Sequence, residues 1–239
     1  MQLLVSVRDA GEAGEAVAAG ADILDAKEPS LGALAPVSPS VLAAIAAVLA
    51  PGSALSVALG EPAGVDALEA LLADRADTLG SPPAFLKFVP PTLAAGAVAA
   101  MVAAVRRAAP QARVIVAGYA DRLAPGDLAA FVSAGADGGA DGVLLDTMAK
   151  DASLLARCAL EDVAEFVTSA HARGLLAALA GSLALEDLPI VAALGADVAG
   201  VRGAACEGGR AGRLSAARVA PLLGAARARA PRVPAAQGS

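Results

Sequence analysis

Residues 20–27 read Gly20-Ala21-Asp22-Ile23-Leu24-Asp25-Ala26-Lys27. A glycine in this place suits the left-handed backbone that ends a helix before the chain enters a sheet. The residues after it are mostly apolar without strict alternation, as expected of a parallel strand covered on both faces. The same heading recurs as Gly135-Ala136-Asp137 and Gly195-Ala196-Asp197, each after a helix-like stretch and before a strand-like run. Outward from these points, eight strand-like runs can be counted: Leu3–Val7, Asp22–Lys27, Ala54–Gly60, Ala84–Val89, Arg113–Ala120, Gly142–Thr147, Leu175–Ser182 and Val198–Gly203. Helix-start signals lie between them. Ser38-Pro39 precedes Val41–Leu49, Glu61-Pro62 precedes Ala63–Leu72, Pro91-Thr92 precedes Leu93–Ala109, and Pro125-Gly126-Asp127 precedes Leu128–Ala134. Repeated strand–helix units predict a parallel α/β sheet, and eight of them predict closure into a single-domain (β/α)8 TIM barrel over residues 1–230. The alternative is an open doubly wound sheet, but no Gly-x-Gly-x-x-Gly follows the first run to favour it. Residues 231–239, made of Pro, Ala, Gln, Gly and a few others, read as a disordered tail.

Composition narrows the function classes. The chain has 239 residues, close to the size usual for one barrel, about 250. Hydrophobic letters make up 57%, but aromatics only 2%, so much of the apolar count is alanine. The longest apolar run, Leu93–Val105, is too short to span a bilayer, and Arg8-Asp9 close the opening run before a cleavable leader could form. A cytoplasmic protein without membrane partners is expected. The net charge of −6 excludes a phosphate-backbone grip on nucleic acid, which needs clustered cations. Cys158 and Cys206 make neither a disulfide framework nor a metal-ligand spacing. The acidic surface with an Ala- and Leu-rich exterior permits a homo-oligomer.

Of the 18 basic residues only three are lysine: Lys27, Lys87 and Lys150. All three fall at or near the ends of strand-like runs, the second, fourth and sixth. In a barrel, alternate strands feed the same interior layer, and the active site sits at the strands' C-terminal ends. Three lysines on even strands therefore converge on one mouth. Asp25 and Lys27, two apart on a strand, point to the same side. An amine attacks a carbonyl only when deprotonated, and burial or a neighbouring cation lowers its pKa. Asp25 and Asp146 would keep the other lysines charged or move protons. The competing reading is structural: salt-bridged strand ends, with Asp25 simply paired to Lys27.

The last two runs end in glycine-rich turns. Gly181-Ser182 follows one, and Arg202-Gly203-Ala204 the other. Barrels commonly hold phosphate there on backbone N–H groups, and Arg202 would add a charged fork. Ordinary turns are the competing reading. His171 reads as a plain helix residue within Val163–Arg173, which leaves no histidine for a triad or a metal. Cys206 lies near the last glycine-rich turn, but no histidine accompanies it in sequence, so it does not read as a nucleophile. Asp121 either lines the mouth or belongs to a salt-bridged loop, and Tyr119 fits core and site equally. Glu12 and Glu15 read as solvated helix surface.

Leu3-Leu4-Val5-Ser6 and Gly20–Lys27, together with Glu28-Pro29, Ala117-Gly118-Tyr119-Ala120-Asp121, Leu145-Asp146-Thr147-Met148-Ala149-Lys150-Asp151, Leu179-Ala180-Gly181-Ser182 and Gly200-Val201-Arg202-Gly203-Ala204-Ala205-Cys206, resemble the (5-formylfuran-3-yl)methyl phosphate synthases. The resemblance runs from about residue 1 to residue 225. It implies a (β/α)8 barrel lyase without cofactor or metal. It implies that two glyceraldehyde 3-phosphate molecules are joined, with loss of phosphate and water, for methanofuran-type cofactors of methanogens and methylotrophs. By motif, Lys27 takes the role of Schiff-base lysine and Lys87 that of proton acceptor. Asp25, Asp146 and Lys150 match the other charged pocket positions. The stretch Leu59–Ser81 matches weakly and offers no site residue. Two other functions fit the residues: another Schiff-base aldolase acting on a phosphorylated sugar, or a non-catalytic barrel that binds a phosphorylated metabolite.

Overall fold

The computed structural model describes residues 1–50, 52–79, 84–124 and 126–228. Eight parallel strands pair in sequence order and close on themselves: β1 (Gln2–Val7), β2 (Ile23–Ala26), β3 (Ala54–Ala58), β4 (Phe85–Phe88), β5 (Arg113–Tyr119), β6 (Gly142–Asp146), β7 (Leu176–Leu179) and β8 (Val198–Val201). Closure is made by β1 on β8, with Leu4 opposite Gly200. The helices α1 (Ala10–Ala18), α2 (Pro39–Ala46), α3 (Val65–Ala73), α4 (Ala76–Leu79), α5 (Ala95–Ala108), α6 (Asp127–Asp137), α7 (Leu154–Arg157), α8 (Leu160–Ala172), α9 (Leu188–Ala193) and α10 (Ala216–Arg227) surround it. A small antiparallel ribbon, β9 (Cys206–Glu207) with β10 (Arg213–Leu214), follows the last barrel strand. Seven of the eight strands are shorter than the runs that encode them, because the last residues of those runs leave the ladder to form the mouth, whereas β1 ends with its run at Val7. No described helix is long and apolar enough to cross a membrane. The expected tail at 231–239, and the domain end at 230, lie outside the described residues.

Local chemistry sets the helix starts. Asp9 accepts from the Glu12 amide at 2.8 Å to cap α1. Ser38 caps α2, with Pro39 in its first turn. The Gly-Ala-Asp turns need one correction. The copy that precedes β6 is Gly139-Ala140-Asp141, not Gly135-Ala136-Asp137, which lies inside α6. Gly20, Gly139 and Gly195 all have φ near +80°, whereas Gly135 does not. The aspartate of each true copy reaches back to the preceding strand. Asp22 accepts from the Leu3 amide at 2.8 Å, Asp141 from Val114 at 2.7 Å and Asp197 from Ala177 at 2.8 Å. Three even strands thus enter the barrel stapled to their odd neighbours.

Two apolar layers result. One lies between strands and helices and includes Leu3, Leu24, Phe88, Phe131 and Phe166, the last two stacked with centroids 6.1 Å apart. The other fills the barrel floor with Leu4, Ile23, Phe85, Ile115, Leu144 and Val198. Toward the mouth the inward residues shrink to Ser6, Ser56, Ala178, Ala180 and Gly200. Those small side chains leave room above the floor for long ones from β2 and β4.

Candidate active site

Asp25 is fully buried on β2 and is satisfied from three directions. Oδ1 accepts from Lys87 Nζ at 2.7 Å and from Ser56 Oγ at 2.9 Å, and Oδ2 accepts from Ser6 Oγ at 3.1 Å. Ser6, Asp25 and Ser56 are register partners across β1, β2 and β3, so the row is fixed by strand pairing. Burial works against the Asp25 charge, but Lys87, Lys27 and the Ser56 hydroxyl outweigh it and hold the carboxyl below its ordinary range. Lys87 is thereby an ion-paired ammonium in the barrel interior. The alternative pairing of Asp25 with Lys27 is not what forms.

A second pair stands on β6. Lys150, in the loop beyond the strand, returns to Asp146 with Nζ 2.7 Å from Oδ1, and the Thr147 amide donates to the same oxygen at 2.7 Å. Burial lowers the Lys150 pKa, against the pull of Asp146.

Between the pairs lies Lys27, just past the end of β2 and 6% exposed. Among the described residues it has no hydrogen-bonded or ion-paired partner for its amine. Burial pushes it down to about 8; Asp146 and Asp25 pull it upward, while Lys87 and Lys150 push it further down. The site therefore contains two compensated ammoniums and one amine that is not compensated. That is the arrangement a carbonyl nucleophile requires.

Lys27 and Lys150 line one cleft with Gly181, Ser182, Gly203 and Ala204. The amides of Gly181 and Ser182, two residues that line the cleft, donate to no described protein acceptor. Gly181 sits at φ +106°, and a Cβ there would come within 2.9 Å of the Thr147 side chain. Ser182 is the one described non-glycine residue with positive φ, at 50°. This turn is held in a costly conformation beside the lysines.

Arg202 needs correction as the phosphate cation. Its guanidinium is buried and pairs with Glu12, and it donates to the Ser6 carbonyl at 3.1 Å, the Arg210 carbonyl at 3.2 Å and the Gly212 carbonyl at 3.1 Å. All five N–H donors are committed, and none remains for an anion. Glu12 is corrected with it: it is 2% exposed, not solvated, because it neutralises that guanidinium and accepts from the Arg8 amide. Arg202 and Arg210 both line the cleft, but the one with donors to spare is Arg210, half-buried and donating to the Gly32 carbonyl at 2.9 Å. Its position in a glycine-rich loop was the available sequence signal.

Other residues now have places. Tyr119, buried at the end of β5, donates to Glu61 Oε1 at 2.9 Å, which puts one residue of the weakly matching stretch at the mouth. His171 is exposed on α8 at the opposite end, 2.9 Å from Asp197. Burial pushes the Cys158 and Cys206 thiols up, away from the thiolate. No group of three His, Cys, Asp or Glu among the described residues is placed to hold a metal.

A sequence model of a protein family described as 4-HFC-P synthase matches residues 3–223. The (5-formylfuran-3-yl)methyl phosphate synthase of Methanopyrus kandleri is 38% identical over 214 residues, covering 87% of this chain and 90% of that protein. The synthase of the same name from Methanocaldococcus jannaschii is 37% identical over 215 residues, covering 87% and 92%. Among solved structures, phosphoribosyl anthranilate isomerase from Thermus thermophilus superposes with a TM-score of 0.65 at 18% identity, covering 94% of this chain and 98% of that one. A 3-hexulose-6-phosphate synthase gives 0.63 at 18% identity, covering 94% and 99%. These two establish the barrel fold alone.

Proposed function

The chain belongs to the 4-HFC-P synthase family, and from that premise we propose that it joins two glyceraldehyde 3-phosphate molecules into (5-formylfuran-3-yl)methyl phosphate through an imine on Lys27, supplying a methanofuran-type cofactor. The observation that carries this reading is the buried, uncompensated Lys27 amine between the Asp25–Lys87 and Asp146–Lys150 pairs.

The chemistry follows from those charges. Lys27 attacks the carbonyl carbon of one triose, and a carbinolamine forms. Lys87 gives its proton to the departing hydroxyl, which leaves as water, and the iminium remains. Lys87, now neutral, takes the proton from the adjacent carbon, and the iminium becomes an enamine. Asp25 stays ionised throughout, because Ser6 and Ser56 continue to donate to it. The enamine expels the phosphate from the third carbon of the first triose, and the enol carbon so formed attacks the keto carbon of the second triose, first isomerised to dihydroxyacetone phosphate; Lys150 protonates the alkoxide that results. The free hydroxyl of the second triose closes on the neighbouring carbonyl, two waters leave to give the furan, and hydrolysis of the imine releases the aldehyde and frees Lys27. The retained phosphate ester rests on the Gly181 and Ser182 amides, with Arg210 as the facing cation.

The test is to incubate the protein with glyceraldehyde 3-phosphate alone, recording furan-aldehyde absorbance and free phosphate, with borohydride trapping and peptide mass mapping in parallel. The expected result is absorbance, phosphate and an adduct on Lys27, all lost in Lys27→Arg. Normal turnover in Lys27→Arg overturns the mechanism. An adduct without the chromophore transfers the chain to the other Schiff-base aldolases, and neither signal transfers it to phosphometabolite binding.

A further inference from the structure

We propose that Asp121, in the loop after β5, is a positioning residue that fixes the β6–α7 loop and through it sets Lys150 against Asp146. This rests on the reading that Lys150 serves the site. Asp121 does not line the cleft and touches none of the three lysines. Both of its oxygens are committed to the neighbouring loop instead: Oδ1 accepts from the Met148 amide at 2.7 Å and Oδ2 from the Ala149 amide at 2.8 Å. The next residue is Lys150.

A lysine side chain has many rotamers and does not place itself. For Nζ to return to an aspartate four residues earlier, the intervening backbone must be held in one turn. Among the described residues three side-chain contacts hold that loop beside Lys150: the Asp121 clamp, Ser182 Oγ, which donates to the Lys150 carbonyl at 3.3 Å, and the Asp151–Arg157 ion pair one residue further on. Only the clamp binds the two backbone amides directly before Lys150, and charge-assisted hydrogen bonds are the stronger kind. Burial works against the Asp121 charge, yet the two amides hold its carboxyl below the ordinary range, so the carboxylate stays available as acceptor. Asp121 itself is exposed, where a carboxylate kept only for stability would contribute little.

The rarity of lysine makes the test clean. The only side-chain amines that acetic anhydride can modify at pH 8 are those of Lys27, Lys87 and Lys150, and peptide mapping separates them from any acetylated tyrosine, cysteine or N-terminal amine. Peptide mapping gives the rate at Lys150 relative to the N-terminus. In Asp121→Asn one acceptor oxygen is replaced by an NH2 group, and the relative rate at Lys150 should rise about fivefold as the amine leaves Asp146. Furan formation should slow about tenfold with KM changed less than twofold, and the same substitution in a Lys150→Met background should cost less than twofold more. An unchanged labelling rate, or an equal loss in both backgrounds, overturns the proposal. The native protein offers a check without any variant: the Met148 and Ala149 amides should exchange at least about tenfold slower than free exposed amides. Free exchange there also overturns it. If the native protein makes no furan, the proposed function fails while the labelling and exchange results still decide the clamp.

Discussion

An amine with a pKa of about 8 is roughly one-tenth unprotonated at pH 7, against a few parts in ten thousand for lysine in water. Imine trapping at Lys27 should therefore rise about tenfold per pH unit below 8 and level off above it, read as borohydride-fixed adduct against pH. The same burial costs stability. Between pH 8 and 10.5 the unfolded chain holds a proton at Lys27 that the folded chain has lost, so folding stability rises with pH through that window. Lys27→Met should lose that rise and unfold at higher urea than the native protein near pH 7, by about 1 kcal/mol, while losing all turnover. Ser56→Ala should do the reverse: it removes a donor from a buried carboxylate and should cost about 1.5–3 kcal/mol in urea unfolding. The lysines were legible in the sequence because their residue type is rare there. The serines were not, because a serine in a strand carries no mark of the carboxylate opposite it until the register is known.

The Gly-Ala-Asp turns make their contribution as elements, at the end of the barrel away from the lysines. Asp141→Ala should lower stability by about 1–2 kcal/mol, since the Val114 amide loses its acceptor and Arg106 its partner, and kcat should stay within twofold of native. Gly139→Ala should cost about 1 kcal/mol, because its φ of +77° disfavours any side chain. Urea titration and a turnover assay on the same samples check both. The strand count, the order of units and most helix starts could be read from the sequence, because each rests on local chemistry: a cap, a proline, a glycine. The phase of the turn before β6 could not. Two Gly-Ala-Asp copies lie four residues apart there, one helical turn, and both satisfy the local pattern. Only the length of α6 and its packing decide which glycine adopts the left-handed backbone.

At the scale of the whole molecule, Arg202 and Glu12 join the end of β8 to α1, residues 190 positions apart, beside the seam where β1 meets β8. Breaking a buried ion pair leaves an uncompensated charge. Arg202→Met alone should therefore cost about 3–5 kcal/mol, and the double variant with Glu12→Met should cost less than the two singles summed. Urea unfolding of the four proteins checks it. The sequence by itself determined the barrel, because eight repeated units have few ways to bury their strands. It also picked out the lysines and glycine-rich turns that the barrel gathers at one end. Only the tertiary structure decided how the charges divide. Asp25 pairs with Lys87 across β3 and not with Lys27 on its own strand, and Arg202 is spent on Glu12 while Arg210 faces the cleft. Residue types fix which charges exist. The cost of burying a charge without a partner fixes who pairs with whom, and partners so distant in sequence are chosen only when the barrel closes.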